Sequence, residues 1–347
     1  MHCIQIVTVY DTINCGSFLQ AWALYKTIQA MGLTVSFVRS PLKRRLIKYY
    51  RAQAKLVKPF LKRKTKTFRM RKRIQRSFSV LQRSLPVSNL LEKSTIIIGS
   101  DTLWNFDDKY FKSNSDYYLG QEFPAHKICT YAVSAGNTSY DVFSATPNIQ
   151  VGLNEIQHIT VRDTVTQLLV AKTIGKEPNI VCDPTILLPI DDYEEIALAS
   201  TFEKPYILLY FFGSIDEELK GWIVEDSRRN NLGIVSLDVN EPRAWTMSVP
   251  ADPSRFLGYF KNASKVITNT FHGTVFSVLY NKEFVVYTKH KAKITDFLCQ
   301  LGIAERTCNS IEQAELLFLQ AIDYTCVKEQ LNLLRERSII ELKQMLD

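Results

Sequence analysis

No apolar run in the 347-residue chain approaches the roughly 20 residues that span a bilayer, so a transmembrane helix is not expected. No P-loop Gly-Lys-Ser/Thr, Gly-x-Gly-x-x-Gly fingerprint, zincin helix or Gly-x-Ser-x-Gly elbow occurs, and those large enzyme classes recede. The seven cysteines (3, 15, 129, 182, 299, 308, 326) form no Cys-x-x-Cys and no Cys/His pair at metal spacing. Reduced thiols in a cytosolic protein are expected, without structural zinc or another metal. Histidine is scarce at five, so each one bears inspection. Carboxylates are missing altogether between Asp11 and Glu92, where Lys and Arg number 19, sixteen of them from Lys43 to Arg76. The rest of the chain holds 24 basic against 35 acidic residues. A mildly acidic body therefore carries one intensely basic insert, inside a total charge of +8.

What remains is ordinary globular material: 46% hydrophobic, 22% charged, with 13 Gly and 12 Pro, which excludes disorder, collagen and coiled-coil arrays. At roughly 100–200 residues per domain, two domains are expected. The opening MHCIQIVTVYDTINCG lacks a positive leader and a small-residue cleavage site, so it reads as a first strand rather than a signal peptide.

Periodicity predicts a strand over 3–9, a turn, a helix over 17–31 and a strand over 34–38, which is the start of a parallel sheet. A basic helical insert over 41–83 follows, interrupted at Pro59. Strands are expected again at 95–98, 127–133, 158–161 and 179–182, with a helix over 164–174. An acidic stretch near 188–200 separates the halves, and a second β/α series follows: strands at 206–212, 233–237, 265–268 and 284–287, helices at 216–230, 253–262 and 273–280. The fold class is therefore α/β, with two Rossmann-like doubly wound domains, 1–195 and 196–325. A final helix over 326–347 is expected to pack back on the first domain.

In such sheets ligands sit beyond the carboxyl ends of the strands. Three segments there are richer in polar residues than folding requires. In the first, Asn14, Gly16 and Ser17 open a helix and offer backbone N–H groups and a hydroxyl to an anion, or simply cap it. In the second, Ser100, Asp101, Trp104 and Asn105 follow Gly99 and suit a sugar or polar cofactor, unless the Trp plugs the core. In the third, Thr268, Asn269, Thr270, His272, Gly273 and Thr274 place a His at a helix start, where N–H dipoles disfavour its protonated form. Arg162 ends a strand as a natural fork for a carboxylate or phosphate, or as half of an ion pair. His272, Arg162 and Asp101 are the catalytic candidates. His2, His126, His158 and His290 read as structural.

These segments, in order, resemble the polysaccharide pyruvyl transferase family. The matching pieces are Asn14-Cys15-Gly16-Ser17-Phe18-Leu19-Gln20-Ala21, Gly99 to Asn105, Tyr131-Ala132-Val133-Ser134-Ala135-Gly136, Thr160-Val161-Arg162-Asp163, Cys182-Asp183-Pro184-Thr185 and Thr268 to Thr274. The resemblance implies a GT-B-like fold with the active site between two domains. It also implies transfer from phosphoenolpyruvate to two sugar hydroxyls, as a pyruvate ketal on a surface or capsular polysaccharide precursor, with phosphoenolpyruvate as co-substrate and no bound cofactor. Many relatives carry Arg two residues before the His, where Thr270 stands here; Lys293 is the expected replacement.

Two other classes compete. A GT-B glycosyltransferase using a sugar nucleotide would need a carboxylate for the ribose, and the first one after Thr268 is Glu283, on the next strand. A nucleic-acid-binding protein would use the insert, which lacks interleaved aromatics and any reader motif. The insert suits an anionic membrane surface better, and its stretch from Lys43 to Arg76 is expected to bind such a surface and to be dispensable for folding. That places the enzyme in the cytoplasm, peripheral at the inner face of the membrane, with an acceptor sugar there and no nucleic-acid partner.

Overall fold

The computed structural model describes residues 3–39, 65–123, 127–237, 245–288 and 292–347. Its first sheet contains β1 (Cys3–Val7), β2 (Thr34–Val38), β3 (Val87–Ser88), β4 (Ser94–Ile98), β5 (Lys127–Val133), β6 (His158–Val161) and β7 (Asn179–Ile180). They run parallel in the order β3-β2-β1-β4-β5-β6-β7. The second sheet contains β8 (Tyr206–Tyr210), β9 (Gly233–Ser236), β10 (Met247–Ser248), β11 (Lys265–Thr268), β12 (Glu283–Tyr287) and β13 (Thr307–Cys308). These too are parallel, ordered β10-β9-β8-β11-β12-β13. The strand order reverses between β1 and β4 in one sheet and between β8 and β11 in the other.

Sequence dictates these sheets through continuous apolar runs. All five residues of β4 are buried, as expected of a central parallel strand covered on both faces. Alternation still sorts them: Ile97 joins the cluster that runs into the second domain, while Ile96 and Ile98 face the opposite layer. The helix Cys15–Ala30 is buried nearly all round, which marks an element enclosed between layers rather than a surface helix. Its Trp22 ring lies 5.4 Å from Tyr193, and Tyr193 lies 5.3 Å from Phe276 of the second domain. One apolar cluster thus joins the two sheets.

The last helix, Tyr324–Leu346, returns to the first sheet. Ser338 Oγ accepts the Cys182 N–H at 2.9 Å, Glu341 reaches His158 Nε2 at 3.2 Å, and Leu342 and Met345 are fully buried. No helix among the described residues is long and apolar enough to cross a membrane.

The basic insert requires a correction. Residues 40–64, including Lys43 and the expected break at Pro59, lie outside the described residues. The described remainder is a helix, Thr65–Ser84, that buries Ile74 and Phe78 in the main cluster, and Gln82 donates to the Thr12 carbonyl at 3.1 Å. This part of the insert packs into the folded core, contrary to what an insert dispensable for folding would show. Its Lys72, Arg73, Arg76 and Arg83 occupy the exposed face.

Candidate active site

Loops from both reversal points meet in one cleft of about 290 Å³. At the end of β4 the chain turns on Gly99, with φ +132°, where an added Cβ would stand 2.1 Å from the Tyr131 carbonyl oxygen; only glycine fits. Asp101 follows in the left-handed region, φ +81°, an uncommon conformation for a non-glycine residue and one often found at functional sites. It is held there by several bonds. Ser17 Oγ donates to Oδ2 at 2.6 Å, the Thr102 N–H to Oδ1 at 2.7 Å, and the Ser134 N–H to its carbonyl at 3.0 Å.

The helix start that carries Ser17 differs from expectation. Asn14 Oδ1 accepts the Gly16 and Ser17 N–H groups at 2.9 and 3.3 Å, so the helix begins at Cys15. The amides expected to bind an anion are occupied by this cap. Gly16 serves a different end: an added Cβ would sit 2.0 Å from His272 Nδ1, so the imidazole packs directly on the helix backbone.

Beneath the cleft lies a buried charge junction. Arg162 Nη1 donates to Asp183 Oδ2 at 2.6 Å, and the two side chains are 3% and 0% exposed. Asp183 Oδ1 accepts the Thr185 N–H at 3.0 Å and the Thr185 hydroxyl at 2.6 Å, while Ser100 Oγ reaches Oδ2 at 3.4 Å. His272 Nε2 stands 3.8 Å from the same Oδ2, too far for a hydrogen bond. Both His272 Nε2 and Arg162 Nε are buried without a partner. Burial would push Asp183 up, but the charge of His272 when protonated, that of Arg162 and the Thr185 bonds outweigh it and hold its carboxyl below the ordinary range. Burial draws the His272 imidazole below its ordinary value, Asp183 opposes this, and Arg162 reinforces it. The neutral form is thus favoured as expected, with desolvation as the main cause in place of the helix terminus.

The structure sorts the sequence candidates. Asn14, Ser17, Asp101, Asn105, Arg162, Thr270, His272 and Lys293 line the cleft. Thr270 caps the helix Phe271–Leu279, its Oγ1 accepting the Gly273 N–H at 3.0 Å, so His272 falls inside the first turn rather than ahead of it. Lys293 stands in the same cleft, Nζ 5.9 Å from the Phe271 ring, and supplies a cation there where position 270 has none. The others do not line it. Trp104 is fully buried and donates its indole N–H to the Tyr118 carbonyl at 2.9 Å, so it is a core residue. Ser100, Thr268 and Thr274 are fully buried; Thr268 Oγ1 donates to the Tyr210 carbonyl at 2.6 Å and Thr274 Oγ1 to the Thr270 carbonyl at 2.9 Å. Gly273 allows the Thr268 and Thr270 hydroxyls to approach, and Asn269 binds the backbone of Phe212.

Thr102, Gly136 and Phe271 on the cleft wall and Asp183 at the junction lie within the quoted motifs without a site role assigned to them, and Asn137, Tyr210 and Phe212 lie outside every motif. The Asp-Pro-Thr that opens a helix at 183–185 was the available signal for Asp183. A larger cavity of about 530 Å³ lies elsewhere, along 299–306 and 320–330, and no residue from the reversal points lines it. Among the described residues no group of three or more His, Cys, Asp or Glu is placed to hold a metal ion.

A family model for polysaccharide pyruvyl transferase matches residues 14–290, which include every cleft-lining loop except the one bearing Lys293. The chain belongs to the polysaccharide pyruvyl transferase family. No curated protein matches it. Its fold is that of GT-B proteins. UDP-GlcNAc 2-epimerase from Neisseria meningitidis, solved with UDP-GlcNAc, superposes with a TM-score of 0.53 at 11% identity, covering 100% of both chains. The Methanocaldococcus jannaschii UDP-GlcNAc 2-epimerase gives 0.52 at 9% identity over 93% of each chain. The N-terminal domain of Candida albicans trehalose-6-phosphate phosphatase gives 0.54 at 8% identity, over 99% of this chain and 98% of that one. For this pyruvyl transferase family member, those likenesses speak to the fold alone.

Proposed function

We propose that this family member transfers a pyruvyl group from phosphoenolpyruvate to two hydroxyls of one sugar in a surface or capsular polysaccharide precursor, forming a cyclic ketal and releasing phosphate. The observation that supports it best is the junction itself: an imidazole and a buried guanidinium, each with an unpartnered nitrogen, in the same polar cleft as Lys293. Phosphoenolpyruvate presents a carboxylate and a phosphate to those cations.

In the first step a proton adds to the donor's methylene carbon and the first sugar oxygen bonds to C2, losing its own proton; the net transfer is one proton from hydroxyl to methyl. In the second step the C2–O bond to phosphate breaks, the second sugar oxygen takes its place, and its proton leaves with the phosphate. Neither step changes an oxidation state overall, so proton relays and fixed cations suffice. His272 is the relay, taking the proton from the attacking hydroxyl and passing one on. Arg162 and Lys293 hold the donor anions. Asp101, whose carboxylate Ser17 holds, accepts from a sugar hydroxyl in this reading.

The sugar-nucleotide reading loses its ribose carboxylate. Glu283 lies 3.7 Å from Arg306 and accepts the Ile322 N–H at 3.4 Å, and it does not line the cleft. Incubating the purified protein with phosphoenolpyruvate and a panel of methyl hexopyranosides and lipid-linked sugars tests the reaction. Phosphate release that needs both substrates, with a new ketal methyl signal by NMR, is expected. Turnover of UDP-sugars without any use of phosphoenolpyruvate would overturn it.

The basic insert, Lys43 to Arg76, brings the enzyme to the anionic inner membrane face, where each Lys or Arg near the surface adds about 1 kcal/mol. Sedimentation with phosphatidylglycerol vesicles should be strong at low salt and lost at high salt. Equal binding to neutral vesicles, or preferential binding of nucleic acid, would refute this.

A further inference from the structure

Of the three aromatic side chains on the cleft wall, two are already engaged. Tyr210 is 4% exposed, and Phe271 is 6% exposed with the Arg162 guanidinium 4.7 Å from its ring centroid. Phe212 is different: it lines the cleft and is 56% exposed. Its neighbour Phe211, pointing to the other side of the chain, is buried in the outer layer of the second domain. The sequence thus directs one phenyl ring into the core and leaves the next on the cleft wall.

That ring is not carried on a loose loop. Asn269 Oδ1 accepts the Phe212 N–H at 2.9 Å, and Asn269 Nδ2 donates to the Phe212 carbonyl at 3.0 Å. The amide reproduces a ladder pair beyond Thr268↔Tyr210, the last register pair between β11 and β8. Both polar backbone groups of Phe212 are thereby fixed before any ligand arrives, and the ring itself stands 5.6 Å from Tyr210 in an edge-on arrangement. Chemically the wall carries two kinds of group. Arg162, His272 and Lys293 suit anions. Phe212 offers an exposed π-face, and Asn105 and Asn137 supply hydrogen-bonding amides. Phosphoenolpyruvate is polyanionic and has no apolar face to lay on a phenyl ring. A pyranose has such a face, formed by its axial C–H groups, and hydroxyls around its rim for the amides.

We infer that Phe212 is the platform on which the acceptor pyranose stacks, with Asn269 as the residue that positions it. This rests on the pyruvyl-transfer reading for the identity of the acceptor, and it specifies how that acceptor is held. A pre-fixed ring with two rotatable side-chain bonds binds at small entropic expense, which suits a weakly binding sugar.

Two measurements separate the platform from the reaction. Saturation-transfer NMR with methyl hexopyranosides, irradiating aromatic protons, needs no turnover. The wild-type protein should saturate the C–H protons of one pyranose face; Phe212→Ala should lose that pattern and Phe212→Trp should keep it. Steady-state kinetics should then show the acceptor KM raised about tenfold or more in Phe212→Ala, with phosphoenolpyruvate binding by calorimetry unchanged. Asn269→Ala should raise the acceptor KM in the same direction, by less, while kcat changes little. An identical saturation pattern in Phe212→Ala, no saturation of any glycoside by wild type, or UDP saturated through its uracil in a Phe212-dependent way overturns the platform. Absence of phosphate release with a normal saturation pattern overturns the reaction and leaves the platform standing.

Discussion

Replacing Asp183 by Asn would leave Arg162 buried without the carboxylate that now lies 2.6 Å away. Removing one partner of a buried pair costs about 3–5 kcal/mol, because the other charge stays uncompensated. Urea denaturation should show that loss, and Asp183→Asn with Arg162→Met together should lose less than the sum of the singles. His272 reports on chemistry instead. His272→Ala should lower turnover by roughly 10²–10⁴-fold, and His272→Asn should do so too while retaining donor binding, since an amide cannot relay a proton. Because burial draws the imidazole below its ordinary 6.5, kcat/KM should hold its plateau as pH falls through that value and decline only below it. The linkage has the same sign: the unfolded chain takes up the proton first, so stability falls as pH drops from about 6.5. His272→Asn should flatten that part of the pH–stability curve relative to wild type; an unchanged slope would place the titration elsewhere. The same residues show what sequence can and cannot reveal. Arg162 directly follows a strand and His272 lies in the helix turn after one, where local pattern exposes them. The role of Asp183 arises from loops meeting, which no local pattern shows, and the position of Trp104 after a strand does not say which way an indole points.

The helix Thr65–Ser84 carries the opposite lesson. Its composition reads as a solvated basic arm, yet Ile74 and Phe78, one turn apart, are each 1% exposed in the main cluster. A stripe of two apolar side chains is easily overlooked among so many cations, and burial settles the energetics: Phe78→Ala should cost about 3–5 kcal/mol, measured as a fall in the denaturation midpoint with little change in slope. Arg76→Ala, on the exposed face, should lie within about 0.5 kcal/mol of wild type. Among the strands, β4, β5, β6 and β11 announce themselves as β-branched or apolar runs. Four edge strands have two residues each: β7 falls within the stretch expected at 179–182, while β3, β10 and β13 are too short to carry any periodicity. The alternation of β and α was therefore readable, and with it two parallel, doubly wound sheets.

The two domains are joined in part by an element distant in sequence from what it touches. The helix Tyr324–Leu346 follows the second sheet but seats itself on β5, β6 and β7 of the first. Two kinds of contact hold it there, and their magnitudes differ. Glu341 binds His158 and, at 2.8 Å, Asn179, but these groups are partly exposed, so water and salt weaken the attraction. Leu342 and Met345 are fully buried in the cluster shared by both sheets. Glu341→Gln should therefore change stability by less than about 1 kcal/mol, whereas Leu342→Ala should cost about 2–5 kcal/mol. The consequence extends to the cleft, because its walls come from both sheets and the junction at Asp183 draws Arg162 from one and His272 from the other. Loosening the clasp should weaken donor binding at a distance. Leu342→Ala should raise the dissociation constant for phosphoenolpyruvate while Glu341→Gln leaves it unchanged, as measured by calorimetry well below the variant's midpoint. If Leu342→Ala lowers stability with donor affinity intact, the Trp22–Tyr193–Phe276 contacts alone fix the spacing of the sheets, and the last helix contributes to the first domain only.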